Sequence, residues 1–209
     1  MSLIFMKNSV FDPEAQSANV DYKIVTALER LSEAFRVLLW NEAKELSLSP
    51  IQIQILLFIR FHPANLSKVS YLAGEFNMTK ATISDAVRML EQKGLIQKET
   101  TQEDSRSFNI MLTPKGKSVT DSLEHFGQPI VNSLSGLAQQ QKIVLLESLL
   151  GMIRQLQTSG VITIQRMCYS CHFFEKRGEQ FYCNMLHKQL DSQDLRVDCP
   201  EFEATVTLY

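Results

Sequence analysis

The stretch Thr79–Lys117, TKATISDAVRMLEQKGLIQKETTQEDSRSFNIMLTPKGK, decides the fold. Its first half has a helical period: Ile83, Val87 and Leu90 recur at four- and three-residue steps and share one face. Thr79 suits the cap of a helix running from Lys80 to Lys93, and Gly94 suits its left-handed terminator. After Gly94 the pattern changes. Leu95–Thr100 and Phe108–Thr113 read as strands flanking the polar loop Thr101–Ser107, and Pro114 closes the second.

Upstream, Ile24, Leu28, Leu31, Phe35, Leu38 and Leu39 give a helix over Asp21 to Leu46. Ser49-Pro50-Ile51-Gln52 reads as a helix start, with Ser49 as N-cap, Pro50 in the first turn and Gln52 closing a capping box. The apolar run Ile53–Phe61 follows and stops at His62-Pro63; Ser67 is then expected to cap a short helix through Phe76. Helix, short turn, helix and two-stranded ribbon in that order make a winged helix-turn-helix. Downstream lie helical stretches at about Lys115–Phe126 and Gln139–Thr158, the second with Ile143, Leu146, Leu149, Leu150 and Ile153 as its apolar face. Residues 1–20 read as a loose arm. Residues 161–209 are rich in aromatics and lack a long helical period. The fold class is therefore mainly α (α+β): a winged-helix unit over 1–160 and a small cysteine-rich module over 161–209.

On the second helix of the pair, Lys80, Thr82, Ser84, Asp85 and Arg88 lie off the apolar face. Short hydroxyls and amines near the start of such a helix reach base edges and phosphates in a major groove, although any solvated helix face has a similar composition. The charge distribution is compatible with the first reading and equally with ordinary scatter. Residues 1–59 hold 5 basic and 7 acidic groups, residues 60–117 hold 9 and 6, and the remainder 7 and 10, so positive charge gathers where a phosphate-facing surface belongs.

This stretch resembles the multiple-antibiotic-resistance regulator (MarR) family, through the helix ending Leu90…Gly94-Leu95-Ile96, the pair Asp104 and Arg106, and the closing Leu112-Thr113-Pro114-Lys115-Gly116. With its flanking helices the resemblance spans about Asp21 to Thr158. It implies a dimeric transcription regulator, most often a repressor, that binds double-stranded DNA at a palindromic operator. It also implies that Arg106 enters the minor groove and Asp104 orients it, consistent with a guanidinium at a hairpin tip suiting a narrow, negative groove. Interlocked terminal helices would form the homodimer, for which the faces at Ile24–Leu39 and Ile143–Ile153 are suitable material. A small aromatic effector is implied too, with Trp40 a candidate for its pocket. Asp85 departs from the pattern, since many members carry a basic residue there. A carboxylate selects a base-edge donor such as cytosine N4 rather than phosphate, or leaves contact to Arg88 and Lys80.

All four cysteines, Cys168, Cys171, Cys183 and Cys199, fall in the last 42 residues, beyond the resemblance. A CxxC turn with two later cysteines predicts one four-thiolate metal site. Zinc is the first candidate. A [4Fe–4S] cluster is the alternative, suggested by Cys199-Pro200. His172 and His187 are possible substitutes for one thiolate, though a solvated or core role suits each better. The segment has a thin core, and domains of that size commonly need a metal or disulfides.

Rival readings are a thiol redox protein using Cys168 and Cys171, and an interaction module with the winged helix as scaffold. No phosphate loop, nucleophile elbow or suitably spaced carboxylate pair is visible, so an enzyme is not expected. The start of the chain has no basic segment and only a four-residue apolar run, and no stretch approaches the ~20 apolar residues of a membrane span. The expectation is a cytoplasmic protein with reduced thiols and no membrane association.

Overall fold

In the computed structural model, residues 9–101, 104–178 and 180–205 are described, without the side chains of residues 100–101 and 104–107. Within the segment expected to be a loose arm, Asp12-Pro13 starts a short helix, α1 (Pro13–Ala18), and the Asp12 carboxylate accepts the Glu14 amide. Asn19 then caps α2 (Val20–Leu46), accepting the Asp21 amide at 2.8 Å. The capping box forms as its sequence predicts. Ser49 Oγ accepts the Gln52 amide, the Gln52 side chain accepts the Ser49 amide, and α3 (Pro50–Phe61) runs on with Ile53, Ile55, Leu56, Phe58 and Ile59 buried.

α4 (Val69–Glu75) starts later than expected. Lys68 holds the cap position without a side-chain bond, and Ser67 is fully buried. Its carbonyl accepts the Ile110 amide at 2.8 Å, so Ser67 ties the helix pair to the wing and does not cap α4. α5 (Lys80–Gln92) begins at Thr79, whose Oγ1 accepts the Thr82 amide at 3.1 Å, and the chain turns out through Gly94 at φ +68°.

β1 (Ile96–Thr101) and β2 (Asp104–Leu112) pair antiparallel from Ile96↔Leu112 to Thr100↔Phe108, then shift register to Thr101↔Asp104. The wing is thus longer than predicted, with Asp104–Ser107 in the strand. Backbone ladder bonds pair polar and apolar residues alike, so a polar run does not mark where a ribbon ends. Thr113 Oγ1 donates to the Gly94 carbonyl at 2.7 Å and accepts the Gly116 amide at 3.0 Å, opening α6 (Pro114–Leu123). A Cβ on Gly116 would lie 1.9 Å from the Leu95 carbonyl oxygen, which explains the glycine. α7 (Gln128–Ser133), absent from the sequence reading, precedes α8 (Gln139–Thr158).

Among the described residues, two hydrophobic clusters form. One unites α3, α4, α5 and the wing around Ile53, Leu56, Leu72, Ile83, Leu90 and Ile110. The other joins Leu146, Leu150 and Ile153 of α8 to Met167, Leu190 and Leu195. The cysteine-rich segment folds into a small antiparallel sheet in the order β3 (Phe174–Arg177), β4 (Gln180–Cys183), β5 (Lys188–Leu190). Tyr169, Phe174 and Phe181 pack on one another with ring centroids 5.3–5.9 Å apart. Strands of three or four residues are too short to show a period. Among the described residues no helix is long and apolar enough to cross a membrane.

Candidate nucleic-acid interface and thiol cavity

α5 buries Ile83, Ala86, Val87 and Leu90 and leaves Lys80, Thr82, Ser84, Asp85 and Arg88 exposed. Every predicted contact residue on this helix is therefore on its solvent side. Asp85 has a specific role that the sequence did not reveal. Its Oδ1 accepts a hydrogen bond from Arg88 Nη2 at 2.8 Å, an exposed ion pair three residues apart. The carboxylate orients the guanidinium and cancels part of its charge. Thr82 shares a 2.9 Å hydroxyl contact with the capping Thr79, which fixes it at the helix start.

Part of the basic bias is spent inside the fold. Lys98 pairs with Glu91 at 2.6 Å and lies 5.1 Å from the Phe108 ring centroid. Lys115 Nζ donates to the Lys93 carbonyl at 3.0 Å, and Lys93 Nζ donates to the Ser47 carbonyl, both at helix ends where carbonyls lack partners. Asp104 and Arg106 lie on β2 just past the register shift; their side chains lie outside the described residues.

The four cysteines line one cavity of about 120 Å³, walled also by Phe173, Phe174 and Leu190. A 3-10 turn, Cys168–Ser170, brings the first two around, with the Cys171 amide donating to the Cys168 carbonyl at 3.0 Å. Cys183 ends β4, paired with Phe174 on one side and Lys188 on the other. The Cys168 amide donates to the Arg196 carbonyl at 3.0 Å and the Cys199 amide to the Arg166 carbonyl at 2.8 Å, zipping two distant segments together. All four thiols are free. Among the described residues, no three His, Cys, Asp or Glu side chains are already arranged around one point as a metal site. His172 and His187 are exposed and do not line the cavity.

Burial pushes the Cys168 thiol above its ordinary range; the Arg196 amide bond to its sulfur opposes this, and the other three thiols reinforce it. Burial likewise raises Cys199, opposed by the Arg196 guanidinium at 3.5 Å from its sulfur. A bound cation reverses this balance, because it stabilises the thiolate form.

No motif or period singles out Arg166, which the fold buries. Its side chain is 5 % exposed, donates to Asp198 at 2.8–2.9 Å, reaches to 3.8 Å from Glu75 Oε2 and lies 5.0 Å from the Phe58 ring centroid. Asp198 also contacts His62 Nε2 at 2.7 Å, and His62 Nδ1 donates to the Phe58 carbonyl at 2.7 Å. Two further bonds join the cysteine-rich segment to the end of α4. The Thr163 amide donates to Asn77 Oδ1 and the Thr163 hydroxyl to the Gly74 carbonyl, each at 2.8 Å. Burial raises the Glu75 carboxyl above its usual range, with Arg166 opposing. The only advance signal was position: Arg166 lies two residues before Cys168, and Asp198 directly before Cys199.

Residues 46–107 match the model of the MarR family. Among solved structures, the chain is similar to S. aureus MepR in a DNA complex, with TM-score 0.56 and 21% identity over 63% of this chain and 96% of that one. It is also similar to the transcriptional regulator SlyA, with TM-score 0.57 and 23% identity over 65% and 95%. A MarR protein from Peptoclostridium difficile gives TM-score 0.58 and 23% identity over 68% and 92%. The fold is therefore that of the MarR-like winged-helix proteins, with the family's own sequence pattern in residues 46–107 and the cysteine-rich segment beyond it.

Proposed function

We propose that the chain is a dimeric, sequence-specific DNA-binding regulator of transcription, acting as a repressor, with a metal held by four thiolates in its module 161–209. One observation carries the DNA reading: α5 sets a complete polar face, Lys80, Thr82, Ser84, Asp85 and Arg88, over a fully buried apolar one, beside a two-stranded wing. An interaction scaffold needs no such alignment of helix and wing. The test is binding to random-sequence duplex over a range of salt. Affinity should fall steeply and linearly on a log–log plot as counterions are released; salt-independent or absent binding would discard the reading.

The dimer is supported by an apolar face left exposed on the long helices. Ile24 and Leu28 of α2 and Val144, Leu145, Leu149 and Met152 of α8 line an open groove, and Leu31 and Phe35 continue the exposed apolar surface along the same face of α2. A contiguous patch of this kind marks an association surface. Two-fold pairing would set two recognition helices about one DNA turn, ~34 Å, apart on a palindromic site. Trp40 is 57% exposed and so is not core in the single chain. The small aromatic effector belongs to the same proposal, and thermal shift with benzoate tests it.

Metal binding is supported by the convergence of all four thiols on one cavity in a module whose core is thin. A redox dithiol is less well supported. The CxxC lies in a 3-10 turn leading to strands, whereas a reactive dithiol opens a helix, and Cys168 is shifted up, away from the thiolate.

A further inference from the structure

We propose that the four-cysteine cavity takes a [4Fe–4S] cluster and that Arg166 transmits its occupancy to the helix-turn-helix. The inference rests on the four-thiolate reading above and extends it to the identity of the ligand and to its output.

The first argument is size. In a closed zinc site four sulfurs stand about 2.3 Å from one point and leave no room between them. Here all four cysteines line one cavity of about 120 Å³, more space than a single ion between four sulfurs fills. Four thiols around such a space suit a cluster, in which each iron takes one thiolate and the inorganic core fills the middle. The lining is mixed. Phe173, Phe174 and Leu190 give the wall an apolar part, beside the charged Lys188, Asp194, Arg196 and Glu201, and Cys168 and Cys199 receive hydrogen bonds from the Arg196 amide at 3.2 Å and guanidinium at 3.5 Å.

The second argument is connection. Arg166 and Asp198 each lie within two residues of a cavity cysteine, and the Arg166 carbonyl accepts the Cys199 amide. Their side chains pair with each other and also reach out of the module. Arg166 reaches Glu75 at the end of α4, and Asp198 reaches His62 at the end of α3. A thin module that is ordered by its ligand loses that order with it. The Arg166–Asp198 pair then no longer holds α4, on which α5 packs. The coupling element is thus a charged clamp with two arrangements, engaged and released.

The test uses the full chain, purified without oxygen. Analysis should find about four iron and four acid-labile sulfide per chain. One zinc per chain with no uptake of iron and sulfide on anaerobic reconstitution overturns the cluster assignment, as does a chain that takes up no metal. Hydrogen–deuterium exchange then compares loaded and chelator-stripped protein. Exchange across Val69–Glu75 should rise about tenfold on stripping, within the range of ordinary coupling. Loaded Arg166→Gln should show that faster exchange already, and Asp198→Asn, a milder break at a half-exposed residue, should do the same. A change confined to residues 164–205 overturns the transmission. Neither readout uses DNA, so failure to bind random-sequence duplex would sink the regulator reading separately.

Discussion

Asp85 and Arg88 show how one side chain alters the meaning of another. The guanidinium is exposed but held by its neighbour's carboxylate, so its charge toward DNA is reduced. Asp85→Asn should release it, tightening binding to random duplex and steepening the salt dependence by about one in the log–log slope; an unchanged slope would show that Arg88 makes no phosphate contact. Arg106→Ala should weaken DNA binding by about 1–3 kcal/mol at fixed salt, as for a lost groove contact. Equal affinity in a folded variant removes the wing arginine from the interface. Gly116 is a case of pure geometry. A methyl group 1.9 Å from the Leu95 carbonyl oxygen forces the start of α6 away from the wing, so Gly116→Ala should cost ~3 kcal/mol. Its denaturation midpoint should fall with the slope unchanged.

Among the elements, α8 serves two surfaces at once. The sequence offers one apolar face, Ile143–Ile153, as dimer material, but the fold divides it. Leu146, Leu150 and Ile153 turn to the cysteine-rich module, while Val144, Leu145, Leu149 and Met152 border the open groove with α2. Leu145→Glu should therefore dissociate the proposed dimer and leave the module folded. Wild type is expected to sediment at twice the chain mass at micromolar concentration and the variant at the chain mass. A wild-type monomer would reject the dimer, and a dimeric variant would move the interface elsewhere.

Across the whole molecule, the cysteine-rich segment is docked at two places, on α8 through apolar contacts and on the ends of α3 and α4 through Arg166, Asp198 and Thr163. Removing one partner from a buried ion pair leaves the others uncompensated. For wholly buried pairs that costs about 3–5 kcal/mol. Asp198 is half exposed, and the screening this allows lowers the figure to about 2 kcal/mol for Arg166→Met. Thermal unfolding of the full chain checks this; a change within about 0.5 kcal/mol, as at an ordinary surface site, would reduce the clamp to a bystander.

Local signals explain what was legible in the sequence. The Ser49–Gln52 capping box, the Thr79 cap, the left-handed Gly94 and the bounds of α8 each depend on residues within a few positions, so the chain alone determined them, and with them the winged helix-turn-helix. The polar face of α5 followed from the same period. Other features needed tertiary contacts. Ser67 became a tie to β2 because Ile110 brings its amide there. The short strands β3 to β5 arise by pairing with one another, and Trp40 is exposed because nothing among the described residues covers it. Above all, the clustering of four cysteines along the chain suggested a shared site, but only folding joined 166–168 to 196–199 and thereby placed Arg166 against Glu75. That contact spans 91 positions, a separation at which sequence pattern carries no information about which charge meets which.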